Sequence, residues 1–230
     1  MKKYRHIYFD LDHTLWDYKA NSYEAFRDIY DKYELYNQVE SLDSFVNVFV
    51  KYNDILWDQY RKGEIKKKFL MSERFVLTLG EFGIQNHGLA EKIGHDYITL
   101  SPYKTNVLPH THETLTYLFD RYNLYILTNG FNEVQFIKLK ESGLASFFKQ
   151  IITSENAGYQ KPRKEIFEHA LKSVNAKKTE SLMVGDDLKV DIIGARDFGI
   201  DQVFFNPDRK EHTEKVTFEI SSLKELQDIL

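Results

Sequence analysis

Four short polar segments of this 230-residue chain lie next to apolar runs and carry side chains that could do chemistry. They are Asp10-Leu11-Asp12-His13-Thr14, Thr128-Asn129-Gly130, Lys161-Pro162 and Gly185-Asp186-Asp187, with Asp191 shortly after the last. Carboxylate oxygens are the ligands that hard cations prefer, and a lysine with a hydroxyl can hold an anion. If folding gathers these segments, they could bind a divalent cation beside a negatively charged substrate.

The elements that must position these segments are strands alternating with helices. A first strand is predicted within residues 4–14, and later strands over Leu124–Leu127, Ile151–Thr153, Leu182–Val184 and Gln202–Phe205. Helical patterns follow at about 132–142, 164–174 and 190–197. This alternation predicts βαβ units and a parallel sheet covered on both faces. Ligands bind beyond the carboxyl ends of such strands, so we expect the polar segments to converge there.

A block without proline separates the first two predicted strands. Apolar residues recur in it at helical spacing, as at Phe45, Phe49 and Tyr52, and four helices are predicted near 19–36, 41–61, 66–82 and 87–100. We therefore expect an inserted all-helical domain over 16–104 and an α/β core domain over 1–15 and 105–230.

Composition excludes several classes of function. Lys and Arg number 31 against 35 Asp and Glu, a net charge of −4. That balance argues against binding a nucleic acid polymer, which needs a concentrated positive surface. The chain has no cysteine, which excludes disulfides, zinc ribbons and thiol catalysis.

The sequence also predicts where the protein resides. Its start, MKKYRHIYFDLD, reaches acidic residues after a short apolar run and does not resemble a secretory signal. No stretch approaches the length of a membrane span. We expect a cytoplasmic protein with no membrane partner, and the oligomeric state stays open because core and interface aromatics look alike in a sequence.

The four polar segments, taken in order, resemble the motifs of the haloacid dehalogenase (HAD) superfamily of aspartate-nucleophile hydrolases. The matching residues are DLDHTL at 10–15, TNG at 128–130, the lysine of QKP at 160–162 and GDDLKVD at 185–191. The resemblance covers roughly 1–15 and 105–230, and the helical insert is similar to the first cap type of that superfamily. It implies a Rossmann-like doubly wound parallel sheet, a HAD-like core, with an inserted all-helical cap.

The resemblance implies a role for each motif. Asp10 would be the nucleophile that forms an aspartyl-phosphate, and Asp12 would transfer protons to the leaving group and from water. Thr128 and Lys161 would hold the phosphoryl oxygens, with the amides of Asn129 and Gly130 adding to this site.

A cofactor is implied as well. Mg²⁺ would be held by the carboxylates of Asp10 and Asp186 and by the backbone carbonyl of Asp12, as in the superfamily. Asp187 and Asp191 are second choices as ligands and are expected instead to orient Lys161 or its loop.

A narrower resemblance concerns the substrate. Residues 56–75 together with TNGF and KPRKEIF resemble the bacterial pyrimidine 5'-nucleotidases. This implies that the partner is a small phosphorylated metabolite, a nucleoside monophosphate. Its base could stack on a surface formed by four side chains. These are Trp16, Trp57, Tyr60 and Arg61.

Other functions stay open at this point. The chain could be a phosphatase for phosphoglycolate or a sugar phosphate, a phosphomutase, or a non-catalytic module that binds a phosphorylated ligand. Dehalogenase chemistry is disfavoured, because a halide leaves without a proton and would need no acid at Asp12.

Some polar residues are interpreted as structural. Asn132 with Gln135 is predicted to form a capping box for the helix after the second strand. His110 and His112 are expected to be surface imidazoles rather than a metal pair, and Lys66–Lys68 to be a solvated helix face.

Overall fold

The computed structural model describes residues 3–230, which form two compact units. One unit comprises residues 3–18 and 105–230, and the other comprises Lys19–Lys104. The first unit takes its first strand from the start of the chain and its remaining strands from the second half. The helical unit is therefore an insertion between two strands of one sheet.

Four helices make up the inserted unit, the number that the sequence predicts: α1 (Tyr18–Lys32), α2 (Leu42–Lys62), α3 (Lys67–Glu81) and α4 (His87–Leu100). Side-chain caps fix where two of them begin. Ser41 Oγ accepts a hydrogen bond from the Ser44 amide at 3.1 Å at the start of α2, and Asn86 Oδ1 accepts one from Leu89 at 3.0 Å at the start of α4.

Helix α1 is shorter than the predicted 19–36. It ends at Lys32, and Glu34 takes a left-handed conformation with φ of 50°. A right-handed helix does not continue through such a residue. The chain instead makes a 3₁₀ turn over Leu35–Asn37.

The helical unit has an aromatic core of its own. Phe26 lies 4.5 Å from Phe49 and 4.6 Å from Tyr97, measured between ring centroids. The buried Arg74 guanidinium lies between 5.1 and 5.5 Å from three rings, those of Phe49, Tyr97 and Phe75. Rings in such contact bury large apolar areas and favour a nearby guanidinium, which gives this unit its own source of stability.

A six-stranded parallel sheet forms the centre of the first unit. Its strands are β1 (His6–Phe9), β2 (Asn123–Thr128), β3 (Gln150–Thr153), β4 (Ser181–Gly185), β5 (Asp201–Phe205) and β6 (Phe218–Ile220). The order is β3-β2-β1-β4-β5-β6, which reverses direction between β1 and β4. This confirms the predicted Rossmann-like doubly wound sheet. The sequence did not predict β6, a run of only three residues.

Helices cover both faces of this sheet. They are α5 (Thr111–Phe119), α6 (Asn132–Glu141), α7 (Ser154–Ala157), α8 (Lys164–Ser173), α9 (Gly194–Phe198) and α10 (Leu226–Ile229). Ile7 and Phe9 pack with residues of α5, α6 and α10, while Tyr8 packs with α8 and α9. Successive residues of a buried strand thus serve opposite cores. No helix within residues 3–230 is long and apolar enough to cross a membrane.

The segment after β4 differs from the predicted helix over 190–197. It begins with a π-helical turn over Leu188–Ile193, and only then does α9 follow. Asp187 Oδ1 accepts hydrogen bonds from the amides of Lys189 and Val190, both at 2.9 Å, and so caps this turn. Isolated π turns are frequent at functional sites, and this one contains Asp191.

Candidate active site

Three of the predicted site residues lie at the carboxyl edge of the sheet. Strand β1 pairs in parallel register with both β2 and β4. Asp10 directly follows β1, Thr128 is the last residue of β2, and Asp186 directly follows β4. The strand order reverses between β1 and β4, so these residues lie at the position where doubly wound sheets bind their ligands.

Lys161 is buried at this edge with its ammonium group fully engaged. Its Nζ lies 2.6 Å from Asp10 Oδ1, 2.7 Å from Asp191 Oδ1 and 2.7 Å from the carbonyl oxygen of Leu127. The contacts with Asp10 and Leu127 are hydrogen bonds, and the contact with Asp191 is an ion pair. Burial lowers the pKa of Lys161, but Asp10 and Asp191 outweigh it and hold the pKa above its ordinary value. The side chain is a fixed cation.

Asn129 positions Lys161 through the backbone. Its Nδ2 donates to the carbonyl of Lys161 at 2.9 Å, and its Oδ1 accepts from the Lys161 amide at 2.8 Å. The sequence predicts a substrate contact through the backbone amide of Asn129, and this stays a prediction. In the structure both ends of its side-chain amide hold the lysine loop against the end of β2.

An acidic cluster surrounds the Asp10 carboxylate. One oxygen from each of Asp10, Asp186 and Asp191 lies within 4.8 Å of the others. Burial, with Asp191 and Asp187 nearby, raises the pKa of Asp186 to about 7. Burial also raises the pKa of Asp10 well above its ordinary value, although Lys161 opposes this. Three carboxylates thus share a single lysine.

The chemistry of this donor set fits a hard divalent cation. Buried carboxylates in excess of the nearby positive charge repel one another, and a cation would relieve that repulsion. Oxygen ligands without sulfur or nitrogen select Mg²⁺ or a similar ion. Asp186 also accepts a hydrogen bond from Thr14 Oγ1 at 3.1 Å, which fixes its carboxylate.

The two other aspartates of the last motif have different surroundings. Asp187 caps the π-helical turn with its carboxylate, whereas Asp191 turns inward to Lys161. Gly185 is needed for that approach, since a Cβ at this position would lie 2.4 Å from Asp191 Oδ2.

Asp12 lies in a separate set of contacts. Lys138 Nζ is 2.6 Å from Asp12 Oδ1, and Gln135 Nε2 donates to Asp12 Oδ2 at 2.9 Å. Burial raises the pKa of Asp12, but Lys138 and Gln135 outweigh this and leave the pKa below its ordinary value. Both partners lie on α6, and the sequence interpretation assigned neither of them to the site.

The predicted capping box of Asn132 and Gln135 is wrong. Phe131 is the N-cap of α6 and makes no side-chain cap, and the Asn132 amide donates to Glu155 Oε2 at 2.8 Å. Gln135 is fully buried and faces Asp12. In the sequence, only the helical spacing of 135, 138 and 139 indicated that these residues share the buried face of α6. Phe136 is more apolar and obscured this pattern, although its side chain is 48% exposed.

Trp16 does not provide the stacking surface that the sequence predicts. Its side chain is 1% exposed and packs in the core of the first unit. Lys138 Nζ lies 4.2 Å from the centroid of its ring. A buried indole whose face is already covered by an ammonium group has no face to offer a base.

The other predicted stacking residues lie in the inserted unit, near the end of α2. The rings of Trp57 and Tyr60 meet edge to face at 5.7 Å, and Arg61 Nη2 lies 3.9 Å from Asp58 Oδ1. All three side chains are partly exposed. Their role in substrate binding stays a prediction.

The histidines predicted to be surface residues lie outside the acidic cluster. His110 Nδ1 is 2.9 Å from Glu113 Oε2 at the exposed start of α5. Over residues 3–230 the grouping of potential metal ligands consists of aspartates alone.

Comparison with known proteins places this geometry in a family. The sequence profile of the haloacid dehalogenase-like hydrolases matches residues 7–205. The chain is 32% identical to the pyrimidine 5'-nucleotidase PynA of Streptococcus pneumoniae, over 99% of this chain and 95% of the relative. It is 35% identical to a glyceraldehyde 3-phosphate phosphatase of Methanothermobacter thermautotrophicus, over 51% of this chain and 57% of that protein.

A solved structure extends the likeness to the whole fold. The HAD-hydrolase YfnB of Bacillus subtilis, crystallised with magnesium, has a TM-score of 0.90 and is 30% identical over 99% of both chains. With the matching profile and the parallel sheet that carries the four motifs, this shows that the chain belongs to the haloacid dehalogenase-like hydrolase family.

Proposed function

We propose that the protein is a Mg²⁺-dependent phosphomonoester hydrolase that works through an aspartyl-phosphate on Asp10. The observation that carries this proposal is the buried Asp10 carboxylate, 2.6 Å from Lys161 and grouped with Asp186 and Asp191. A nucleophile, a fixed positive charge and free ligand oxygens for a cation are what an anionic nucleophile needs to reach a phosphate ester.

In the first half of the reaction Asp10 attacks the phosphorus. Lys161 engages Oδ1, so Oδ2 forms the new bond while the ester bond to the leaving oxygen breaks. Asp12 gives that oxygen the proton that it took from water in the preceding turnover. The Thr128 hydroxyl and the charge of Lys161 stabilise the negative charge on the phosphoryl oxygens.

In the second half water releases the phosphate. Asp12 takes a proton from the water, whose oxygen bonds to phosphorus as the bond to Asp10 breaks. The ionised form of Asp12 serves here as the base, and Lys138 and Gln135 favour that form. Inorganic phosphate leaves, and Asp10 is regenerated.

Mg²⁺ would be held by the carboxylates of Asp10 and Asp186 and by the backbone carbonyl of Asp12. When bound, it would neutralise charge between nucleophile and substrate and polarise the phosphoryl group. The excess of buried carboxylate around Asp10 supports this assignment, as does the magnesium in the YfnB crystal structure.

We favour a nucleoside 5'-monophosphate as the substrate, and among these a pyrimidine nucleotide. PynA, a pyrimidine 5'-nucleotidase, is similar over nearly the full length of both chains, including the inserted unit. The second candidate is a small sugar phosphate, because a glyceraldehyde 3-phosphate phosphatase is similar over about half of this chain.

A panel of monophosphates tests both levels of this proposal. Phosphate release is measured from nucleotides, glyceraldehyde 3-phosphate, phosphoglycolate and hexose phosphates, with Mg²⁺ and with a chelator. We expect the highest kcat/KM on a pyrimidine monophosphate, no activity without Mg²⁺, and wild-type activity for Asp208→Asn, an exposed aspartate.

Three results would redirect the proposal. Dominant release from a sugar phosphate would replace the substrate assignment and keep the mechanism. Capture of one phosphate per chain without turnover would favour a binding module, and transfer of phosphate within a sugar would favour a mutase.

A further inference from the structure

Gln135 contacts two residues of the proposed mechanism at once. Its Nε2 lies 2.7 Å from Thr128 Oγ1 and 2.9 Å from Asp12 Oδ2, and the side chain is fully buried. The two contacted groups come from different segments, the end of β2 and the loop after β1. A single amide on α6 therefore joins them.

The orientation of this amide follows from the groups that it faces. An amide nitrogen carries two protons, and one can be given to each contact. The reverse orientation would place the amide oxygen against the Asp12 carboxylate, an acceptor against an acceptor. Both protons of Gln135 are thus directed at groups with a role in the proposed reaction.

The contact with Gln135 determines what the Thr128 hydroxyl can do. Thr128 Oγ1 accepts from the Gly130 amide at 3.0 Å and from Gln135 at 2.7 Å. A hydroxyl has two acceptor sites and one proton. With both acceptor sites filled, Thr128 must donate its proton to a third group, and a phosphoryl oxygen is an acceptor only.

The Asp12 carboxylate is held from both sides. Gln135 and Lys138, three residues apart on α6, each engage one of its oxygens. Residues at this spacing lie on the same face of a helix. Lys138 is 5% exposed, so the lysine end of this ion pair is shielded from water.

The glycine of the TNG motif makes room for this contact. A Cβ on Gly130 would lie 2.0 Å from Gln135 Nε2 and 2.4 Å from its Cδ. No side chain fits there unless Gln135 moves. The motif and the helix residue are therefore linked by packing as well as by hydrogen bonds.

We propose that Gln135 is a positioning residue that makes Thr128 a donor to phosphate and, together with Lys138, fixes the direction of the Asp12 carboxylate. The proposal rests on the phosphatase function proposed above. It assigns different effects to the two residues of α6. Gln135 acts on phosphate binding and on proton transfer, whereas Lys138 acts on proton transfer alone.

Four variants test this separation: Gln135→Leu, Gln135→Glu, Lys138→Met and, as a control on the same helix, Lys140→Met, whose side chain is 80% exposed. Binding of inorganic phosphate in the presence of Mg²⁺ is measured by calorimetry. Values of kcat and KM are measured on a nucleoside monophosphate and on p-nitrophenyl phosphate, whose leaving group departs without a proton.

We expect Gln135→Leu to weaken phosphate binding and raise KM by about 10- to 100-fold, the effect of losing a charge-assisted hydrogen bond. Gln135→Glu places an acceptor beside Thr128 and should weaken binding further. Lys138→Met should leave phosphate binding near wild type and lower kcat by a similar factor, about 100-fold, on both substrates, because the step in which Asp12 takes a proton from water is common to them.

The contrary results are distinct. Unchanged phosphate binding in both Gln135 variants would overturn the inference, as would an unchanged kcat on both substrates for Lys138→Met. Equal phosphate release by the wild type and Asp10→Asn would instead overturn the proposed function. Phosphate binding does not require turnover, so it tests Gln135 in either case.

Discussion

Asp10 and Asp12 are two residues apart and have opposite electrostatic surroundings. Asp10 is buried and shares one lysine with two further aspartates, and its pKa is raised. The Asp12 side chain is 24% exposed and has a lysine to itself, and its pKa is lowered. The same chemical group thus has two environments within one loop.

Two carboxylates in one loop can take distinct roles because their surroundings differ in charge. The surroundings of Asp10 carry excess negative charge that protein groups leave unbalanced, so they favour a cation. The surroundings of Asp12 are balanced by Lys138 and Gln135 and need no ion. Environments that push two pKa values apart are a common mark of distinct roles in one site.

The largest effect is expected at Asp10. Asp10→Asn keeps the shape of the side chain but removes the nucleophilic oxygen, and kcat should fall by about 10⁴-fold or more. Phosphate release from a nucleoside monophosphate measures this, with circular dichroism to verify folding. Activity near wild type would rule out an aspartyl-phosphate at this residue.

A change at Asp12 should affect the two halves of the reaction differently. Asp12→Asn cannot take a proton from water, so we expect kcat to fall by about 10³-fold. With p-nitrophenyl phosphate the first half needs no acid, and the phosphoenzyme should accumulate as a burst of about one equivalent per chain. If no burst appears and turnover equals that of the wild type, a residue other than Asp12 acts as the base.

The acidic cluster leads to a prediction about thermal stability rather than about the reaction rate. Mg²⁺ at about 100 times its Kd should stabilise the wild type by about 2.7 kcal/mol, and Tm should rise accordingly. Asp186→Asn removes one of the repelling carboxylates, so without Mg²⁺ its Tm should exceed that of the wild type. The Mg²⁺ response should be lost in this variant.

Differential scanning calorimetry with and without Mg²⁺ measures both effects. Asp187→Asn is the matched control, because its carboxylate caps a helical turn and should leave the Mg²⁺ response in place. An equal Mg²⁺-induced rise in Tm for Asp186→Asn would exclude Asp186 as a ligand.

The smallest effect is expected from Gly130→Ala, which disturbs Asp12 indirectly. The new methyl group would displace Gln135, and kcat/KM should fall by about tenfold. Gly88→Ala is the control, since a Cβ there meets Asn86 at an ordinary 3.6 Å. If Gly130→Ala matches this control in activity, the Gln135 contact has little influence on catalysis.

Much of the α/β core could be predicted from the sequence. Runs such as Leu124–Leu127 are apolar throughout because parallel strands are buried on both faces, and the polar residues that follow them stand out for the same reason. Strand β6 escaped prediction because its three residues form too short a run. The predicted end of helix α1 lies four residues beyond the observed one, since nothing in the local pattern marks the left-handed Glu34.

The order of residues along the chain was enough to identify which residue types follow each strand and the motifs that contain Asp10, Thr128, Lys161 and Asp186. Those positions depend on local order along the chain, because a parallel sheet collects its carboxyl ends at one edge. The parallel sheet and the resemblance to the family follow from that order.

The side chains that complete the site could be identified only from the packing of the folded chain. Gln135 and Lys138 reach Asp12 from 123 and 126 residues away, and Trp16 is taken into the core beside Lys138. Hydrogen bonds and ion pairs act over a few ångströms in space, whereas the sequence orders residues along the chain. A polar residue on a helix face is therefore assigned to a catalytic group only when the packing of that helix is known.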